Sequence, residues 1–232
     1  MTEPRMPAAL LLDAGGTLIE ERTSRAELYA RAARGAGLDV DEARAGTAMA
    51  RVHGELPRQL GAHFRYARGW FERFLELVLV RELGLDPALL SAVSEELFAV
   101  FADPATYRAL PGALELCAAL RERGVRLAVV SNWSPALHGL LTGLGLAEQL
   151  EFALVSAEQR LEKPDPALFG RALARLDLAA TRVAHLGNDP ERDAAGARAA
   201  GLEPLLVGPP HPGCASFPDL GAVQRALCRR TA

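Results

Sequence analysis

The stretch Ala8-Ala9-Leu10-Leu11-Leu12-Asp13-Ala14-Gly15-Gly16-Thr17-Leu18 decides how the chain is read. Its leading apolar run predicts a fully buried strand of a parallel sheet, and Gly15-Gly16 lets the backbone turn sharply after Asp13. One carboxylate is thereby delivered at the C-terminal end of a buried strand, the edge where open α/β sheets bind their ligands. Taken alone, the window also fits an ordinary strand-to-loop turn whose aspartate caps the next element of the chain. Three later segments favour the first reading.

A second apolar strand, Val125 to Val130, ends in Ser131-Asn132-Trp133, and Ser134-Pro135 opens a helix behind it. A hydroxyl at a strand end beside a helix start suits an anionic oxygen. Next, the two prolines of Leu161-Glu162-Lys163-Pro164-Asp165-Pro166 fix a loop that opens a helix from about Ala167 to Leu176. Lys163 is the only lysine among the 26 basic residues. A lone compact ammonium in a rigid loop is a candidate contact for phosphate or carboxylate. The third segment, Val183-Ala184-His185-Leu186-Gly187-Asn188-Asp189-Pro190-Glu191-Arg192-Asp193, runs from a strand into an acidic loop and a small-residue helix, Ala194 to Ala200. Such loops supply oxygen ligands to hard cations.

In this order the four segments resemble the signature of the haloacid dehalogenase-like hydrolase superfamily across residues 8 to 207. The nearest likeness is to the branch with a helical cap between the first and second motifs, and Ser131-Asn132-Trp133 is similar to its Reg-2-like members. The resemblance implies an α/β fold with a three-layer Rossmann-like parallel-sheet core, residues 1–20 and 106–232, and an inserted α-helical cap, residues 21–105. It also implies a Mg²⁺-dependent phosphatase of a small phosphorylated metabolite. Asp13 is then the nucleophile, with Ser131 and Lys163 holding the transferred group. Asp13, the backbone carbonyl of Gly15, Asn188, Asp189 and Asp193 serve the metal, and Gly15, Gly16, Thr17 and Asn132 line the substrate site.

Two positions depart from the family pattern. Its phosphatases place a second aspartate, which protonates the leaving oxygen and later activates water, where this chain has Gly15. General acid–base help is worth about 10²- to 10⁴-fold in rate. Without it, phosphoanhydrides, acyl phosphates and aryl phosphates are expected to turn over faster than alkyl esters. The family also places an aspartate after the glycine of the fourth motif, whereas Gly187 is followed here by Asn188, a neutral oxygen donor.

The missing second aspartate opens other readings. Metal-independent 2-haloacid dehalogenases of the superfamily also lack it, because departing halide needs no proton, and a cap arginine holds the substrate carboxylate. Arg22, Arg25, Arg44, Arg65 and Arg68 are candidates, but the aromatic those enzymes carry at the Gly15 position is absent. Phosphonoacetaldehyde hydrolases form a Schiff base on a cap lysine, and this cap has none. A third reading is a non-catalytic binding protein on an enzyme scaffold.

Between Arg25 and Phe101 the pattern is helical, and breaks near Gly35, Gly54 to Gly61 and Gly84 divide it into about four helices. Within it, His63-Phe64-Arg65-Tyr66-Ala67-Arg68-Gly69-Trp70 is the densest run of aromatic and basic side chains. Trp70 and Arg65 are its candidates for contacting substrate, against competing roles of Trp70 in cap packing and of the arginines as a solvated face. Past Leu110-Pro111-Gly112 a helix from Ala113 to Arg123 is expected, then strands at Val125 to Val130, Phe152 to Ser156, Val183 to Gly187 and Pro204 to Val207, and a last helix at about Leu220 to Cys228. His185, inside a strand, fits a core histidine better than a general base. Asp193, one turn after Asp189, either pairs with Lys163 or reaches the metal through water, or else supplies helix N-terminal charge. Asp165 and Asp177 fit turn or capping positions.

With 232 residues and 50% apolar content the chain can bury a core plus a subdomain. A net charge of −3 argues against nucleic acid and acidic membranes as partners. No apolar run reaches membrane-spanning length, and Met1 to Pro7 is too short and polar for a signal peptide. Cys117, Cys214 and Cys228 lack metal-ligand spacing and fit reduced thiols in a cytoplasm. The expectation is a cytoplasmic monomer or homodimer acting on a small molecule.

Overall fold

A computed structural model describes residues 6–228. Residues 1–5 and 229–232, with most of the polar N-terminal stretch and the outer ends of the expected core, lie outside it. The chain starts with β1 (Ala9–Leu12) and β2 (Ile19–Glu21). A helical block comes next: α1 (Arg25–Gly35), α2 (Glu42–Glu55), a small hairpin of β3 (Gln59–Leu60) and β4 (His63–Phe64), α3 (Arg68–Leu75) continued by a π-helical stretch Glu76–Glu82, and α4 (Leu90–Ala102). Then come β5 (Tyr107–Ala109), α5 (Ala113–Arg121), β6 (Arg126–Ser131), α6 (Leu137–Gly143), β7 (Phe152–Val155), α7 (Ser156–Gln159) and α8 (Pro166–Leu176). The chain finishes with β8 (Val183–Gly187), a π-helical turn Pro190–Ala195 leading into α9 (Gly196–Ala199), β9 (Glu203–Val207), β10 (Ala215–Phe217) and α10 (Leu220–Leu227).

Six strands form one parallel sheet in the order β10-β9-β8-β1-β6-β7. β1 lies inside the sheet, and its alternation explains the unbroken apolar run. Leu10 and Leu12 enter one hydrophobic cluster with Leu127 and Val129 of β6, while Ala9 and Leu11 enter the cluster on the other face with Ala128 and Val130. Both faces being covered, neither tolerates a polar residue. The register pairs Leu12 with Val129 on one side and Leu186 on the other. Asp13, Ser131 and Asn188 therefore emerge at the same C-terminal edge.

Helix starts reflect local chemistry. Ser24, Asp41, Asp165 and Asp219 each accept a backbone N–H at the start of a helix, and Pro166 occupies the first turn of α8. Asp177 closes α8 in the left-handed region at φ 52°. The block between β2 and β5 has its own cluster, built around Tyr29, Trp70, Phe74 and Leu79 and separate from both faces of the sheet. The antiparallel pair β2–β5 carries the chain out of the core and back.

The structure adds three elements to the expected strands: β2–β5, the β3–β4 hairpin and the edge strand β10. All are short and carry polar residues, so no buried alternation marks them. The expected helix at Ala194 to Ala200 starts earlier, as the wide turn from Pro190. Among the described residues no helix is long and apolar enough to cross a membrane.

Candidate active site

Asp13 comes directly after β1 and its backbone N–H donates to the Leu186 carbonyl at 2.9 Å, which ties the nucleophile candidate to β8. Its Oδ1 accepts from Ser131 Oγ at 2.9 Å and from Lys163 Nζ at 2.6 Å. Lys163 Nζ also donates to Asp193 Oδ1 at 2.5 Å. His185 Nε2 reaches the same oxygen at 3.0 Å, while Asp193 Oδ2 accepts the backbone N–H groups of Asn188 and Asp189, each at 3.0 Å. An ionised carboxylate only accepts, so His185 donates to it through Nε2. Asn132 grips the lysine main chain from both sides: Lys163 N donates to its Oδ1 at 2.7 Å, and its Nδ2 donates to Lys163 O at 3.0 Å.

These charges are almost dry: Lys163 is 3% exposed, Asp193 1% and Asp13 7%. Burial pushes the Asp13 carboxyl up, and neighbouring Asp193 adds to this against the pull of Lys163. Burial alone would lower Lys163, but the two carboxylates hold its ammonium above the usual lysine range. For Asp193 burial acts upward too, yet Lys163 and the His185 hydrogen bond reverse it and hold the carboxyl well below the usual range. The cluster is thus an ammonium shared between a firmly ionised carboxylate and one open towards a cavity.

Among the described residues the second oxygen of Asp13 takes no hydrogen bond. In the turn after it, the N–H groups of Thr17, Leu18 and Ile19 all converge on the Ala14 carbonyl at 3.2, 2.8 and 3.0 Å, which leaves the Gly15 carbonyl out of the turn's bonds. Gly16, at φ +71°, lies so close under Asn188 that a Cβ there would come within 2.5 Å of its Nδ2. One free carboxylate oxygen, a backbone carbonyl and a side-chain amide are a donor set that fits Mg²⁺, which keeps several waters and takes further charge from phosphate. Of the two further acids expected on the metal side, Asp193 is fully engaged, whereas Asp189 lines the same cavity as Asp13 with only one oxygen accepting hydrogen bonds. Asp189 Oδ1 caps the next turn through Glu191 N and Arg192 N, and both Asp193 oxygens are occupied as above. Among the described residues no cluster of three or more His, Cys, Asp or Glu able to hold a metal occurs.

The site opens into a cavity of about 750 Å³ between the sheet edge and the helical block, and Asp13, Gly15, Ser131, Asn132, Lys163 and Asn188 line it. Trp70 and Arg65 do not. Trp70 is fully buried, stacked on Phe74 at 5.5 Å, with Nε1 donating to the Pro57 carbonyl at 2.8 Å. Arg65 donates to the Leu56 carbonyl and to Glu162. This corrects their assignment to the substrate: the aromatic side of that helix packs inward because it closes the block's core. The same stretch reaches the cavity instead through Tyr66 and Arg68. Gly16 and Thr17 shape the turn beneath the site and do not line it; Thr17 is fully buried and its hydroxyl has no partner among the described residues. His185 is a core residue, edge-on to Phe169 at 4.9 Å, and acts by holding Asp193. Sequence reasoning missed the aromatic wall formed by Tyr29, Phe98, Phe101 and Tyr107, and the place taken by Trp133. The indole lies where a side chain at residue 15 would go, with its Cζ3 2.7 Å from a Cβ built on Gly15. The signal available was an aromatic directly after the strand-end Ser131-Asn132.

Residues 7–201 match the haloacid dehalogenase-like hydrolase family. The "Haloacid dehalogenase-like hydrolase domain-containing protein 3" of Bos taurus is 31% identical over 207 residues, 88% of this chain and 82% of that protein. The "Ribulose-1,5-bisphosphate 5-phosphatase" of Halopiger xanaduensis is 36% identical over 154 residues, 64% and 59% of the two chains. The crystal structure of a HAD phosphatase from Thermococcus onnurineus shares the fold with a TM-score of 0.68 at 19% identity, covering 94% of this chain and 96% of that one. Family match, parallel-sheet topology and the Asp13–Lys163–Asp193 cluster agree: the chain belongs to the haloacid dehalogenase-like hydrolases.

Proposed function

We propose that the protein is a Mg²⁺-dependent phosphatase of a small phosphorylated metabolite, acting through a phosphoryl intermediate on Asp13. The observation that carries this reading is the division of labour on one carboxylate. Asp13 Oδ1 is pinned by Ser131 and Lys163, and its other oxygen is left free beside a cavity. A nucleophile needs one lone pair presented and the rest of the group immobilised.

Residues 1–20 and 106–232 form the catalytic core in this reading, and 21–105 the cap that covers it. Asp13, the Gly15 carbonyl and Asn188 would hold Mg²⁺, which when bound neutralises charge between the carboxylate and the incoming phosphate. Asp13 attacks phosphorus in line with the leaving oxygen. Lys163 neutralises charge on the equatorial oxygens and Ser131 orients both the carboxylate and the transferred group. Asp193 keeps the ammonium charged and in place and belongs to the support of the site. Water then opens the acyl phosphate and restores Asp13. The relative named as a ribulose-1,5-bisphosphate 5-phosphatase supports the reaction class.

The test is phosphate release from a panel of aryl, acyl and sugar phosphates with and without Mg²⁺, comparing wild type with Asp13→Asn. Metal-dependent turnover lost in the variant is expected. Equal turnover in both proteins would overturn the assignment of Asp13.

A further inference from the structure

We propose that Trp133 is a specificity-determining residue: it occupies the place of a leaving-group acid and there selects phosphate esters whose leaving group is a planar aromatic ring. This rests on the phosphatase reading of Asp13 and names its substrate class.

The volume beside Gly15 is filled. A Cβ on Gly15 would meet Trp133 Cζ3 at 2.7 Å and Cη2 at 3.5 Å, so the indole covers the direction in which any side chain at residue 15 would project. No carboxyl can stand there without displacing an aromatic ring. Trp133 is half-buried, its backbone N–H accepted by Ser156 Oγ at 3.1 Å, and it lines the cavity that Asp13 faces. Tyr107 packs against it at 5.9 Å between ring centroids. The Arg25 guanidinium, itself paired with Glu21, lies 5.7 Å from both the Trp133 and the Phe101 rings. Tyr66, Phe71 and Phe98, each partly exposed, continue the aromatic lining. The wall thus offers ring faces where a general acid is missing, with a permanently charged cation set among them.

These features select one kind of leaving group. In the transfer step the bond from the free Asp13 oxygen to phosphorus forms while the phosphorus–oxygen bond to the aryl group breaks. The bonding pair leaves with the aryl oxygen as an aryloxide, whose ring delocalises the charge, and the proton it later takes comes from water. In the second step water bonds to phosphorus, the Asp13–phosphorus bond breaks with its pair returning to the carboxylate, and the water proton leaves with phosphate or to solvent. No acid at residue 15 is needed in either step. An alkyl alkoxide leaving unprotonated would meet a far higher barrier.

The experiment has two arms. Wild-type kcat/KM is measured on phenyl phosphates of graded ring substitution, with acetyl phosphate as a ring-free substrate that also needs no acid. Trp133→Leu and Trp133→Phe are then compared on 4-nitrophenyl phosphate and acetyl phosphate. A steep fall of rate with rising basicity of the phenol is expected. Trp133→Leu should lower the aryl-to-acetyl ratio by about tenfold, the size of one good ring contact, and Trp133→Phe should retain it. A flat dependence on the phenol, or a ratio unchanged in Trp133→Leu, overturns the proposal while leaving Asp13-dependent release from acetyl phosphate intact. Failure of Asp13-dependent release from both substrate classes overturns the phosphatase reading and this inference with it. The phenol series needs no variant, so a Trp133→Leu protein that fails to fold does not shield the proposal.

Discussion

Asp193→Asn should be among the most destabilising isosteric substitutions in the protein. One Asp193 oxygen faces two donors, Lys163 Nζ at 2.5 Å and His185 Nε2 at 3.0 Å, and the other faces the N–H groups of Asn188 and Asp189 at 3.0 Å. Whichever way the asparagine amide turns, its NH₂ points at donors. Two charge-assisted hydrogen bonds are lost at about 1.5–3 kcal/mol each, and Lys163 keeps only Asp13 as a counter-ion. Removing one partner of a buried pair costs about 3–5 kcal/mol in general, and the same range is expected here. Urea unfolding at neutral pH monitored by tryptophan fluorescence measures it, the midpoint falling while the slope stays unchanged. A second test is the cycle with Lys163→Met. That single variant leaves two carboxylates facing each other, so the double variant should lose less than the sum by about 1–3 kcal/mol. A loss below about 1 kcal/mol for Asp193→Asn, or strict additivity, would refute the picture of a shared ammonium.

Trp70→Ala should cost about 3–5 kcal/mol in chemical unfolding while leaving the order of preferred substrates unchanged, because the indole closes a core and lies away from the cavity. Gly16→Ala should lose about 1–2 kcal/mol from its left-handed backbone alone and more from pushing Asn188, whereas Gly37→Ala, at φ +87° with open space, loses only the backbone part; equal shifts in thermal unfolding would count against the close packing under Asn188. Burial pushes the Cys117 thiol up to about 12, so it stays protonated and unreactive in the native protein at pH 8; Cys214 is buried too, and the half-buried Cys228 should be the one thiol titrated by an aromatic disulfide reagent before all three react in denaturant.

What was legible in the sequence was whatever the two-sided sheet demands. β1 and most of β6 announce themselves as apolar runs because both faces are covered, β8 carries the same pattern interrupted by His185, and each reaches the ligand edge at a polar or turn residue: Asp13, Ser131 or the Gly187-Asn188 step. β10 and β2 were not legible, since an edge strand of Ala215-Ser216-Phe217 and a ribbon whose partners lie some 88 residues apart carry no local pattern. In the site, the pairing of Lys163 with Asp193 was one of the readings the loop chemistry left open, beside a metal contact through water and a helix N-terminal charge, and the structure shows the pair. The assignment of Trp70 could not, because helical periodicity identifies an apolar face without saying whether it meets a core or a cavity. Nor could the encounter of Gly15 with Trp133, a steric fact between residues 118 positions apart that only the β1–β6 register creates.

The grip of Asn132 on the Lys163 main chain has a consequence for the entropy of binding. A lysine side chain holds roughly 2 kcal/mol of rotamer freedom, and at an exposed site a ligand must surrender part of its binding energy to freeze it. Here the freezing is complete before anything binds: Asn132 fixes the backbone, Asp13 and Asp193 fix the ammonium, and the neighbouring Glu162 ties the loop to Arg58 and Arg65 of the helical block. The disorder of the cation is given up once, on folding, and a phosphate bound as proposed would meet a charge that no longer has to be ordered.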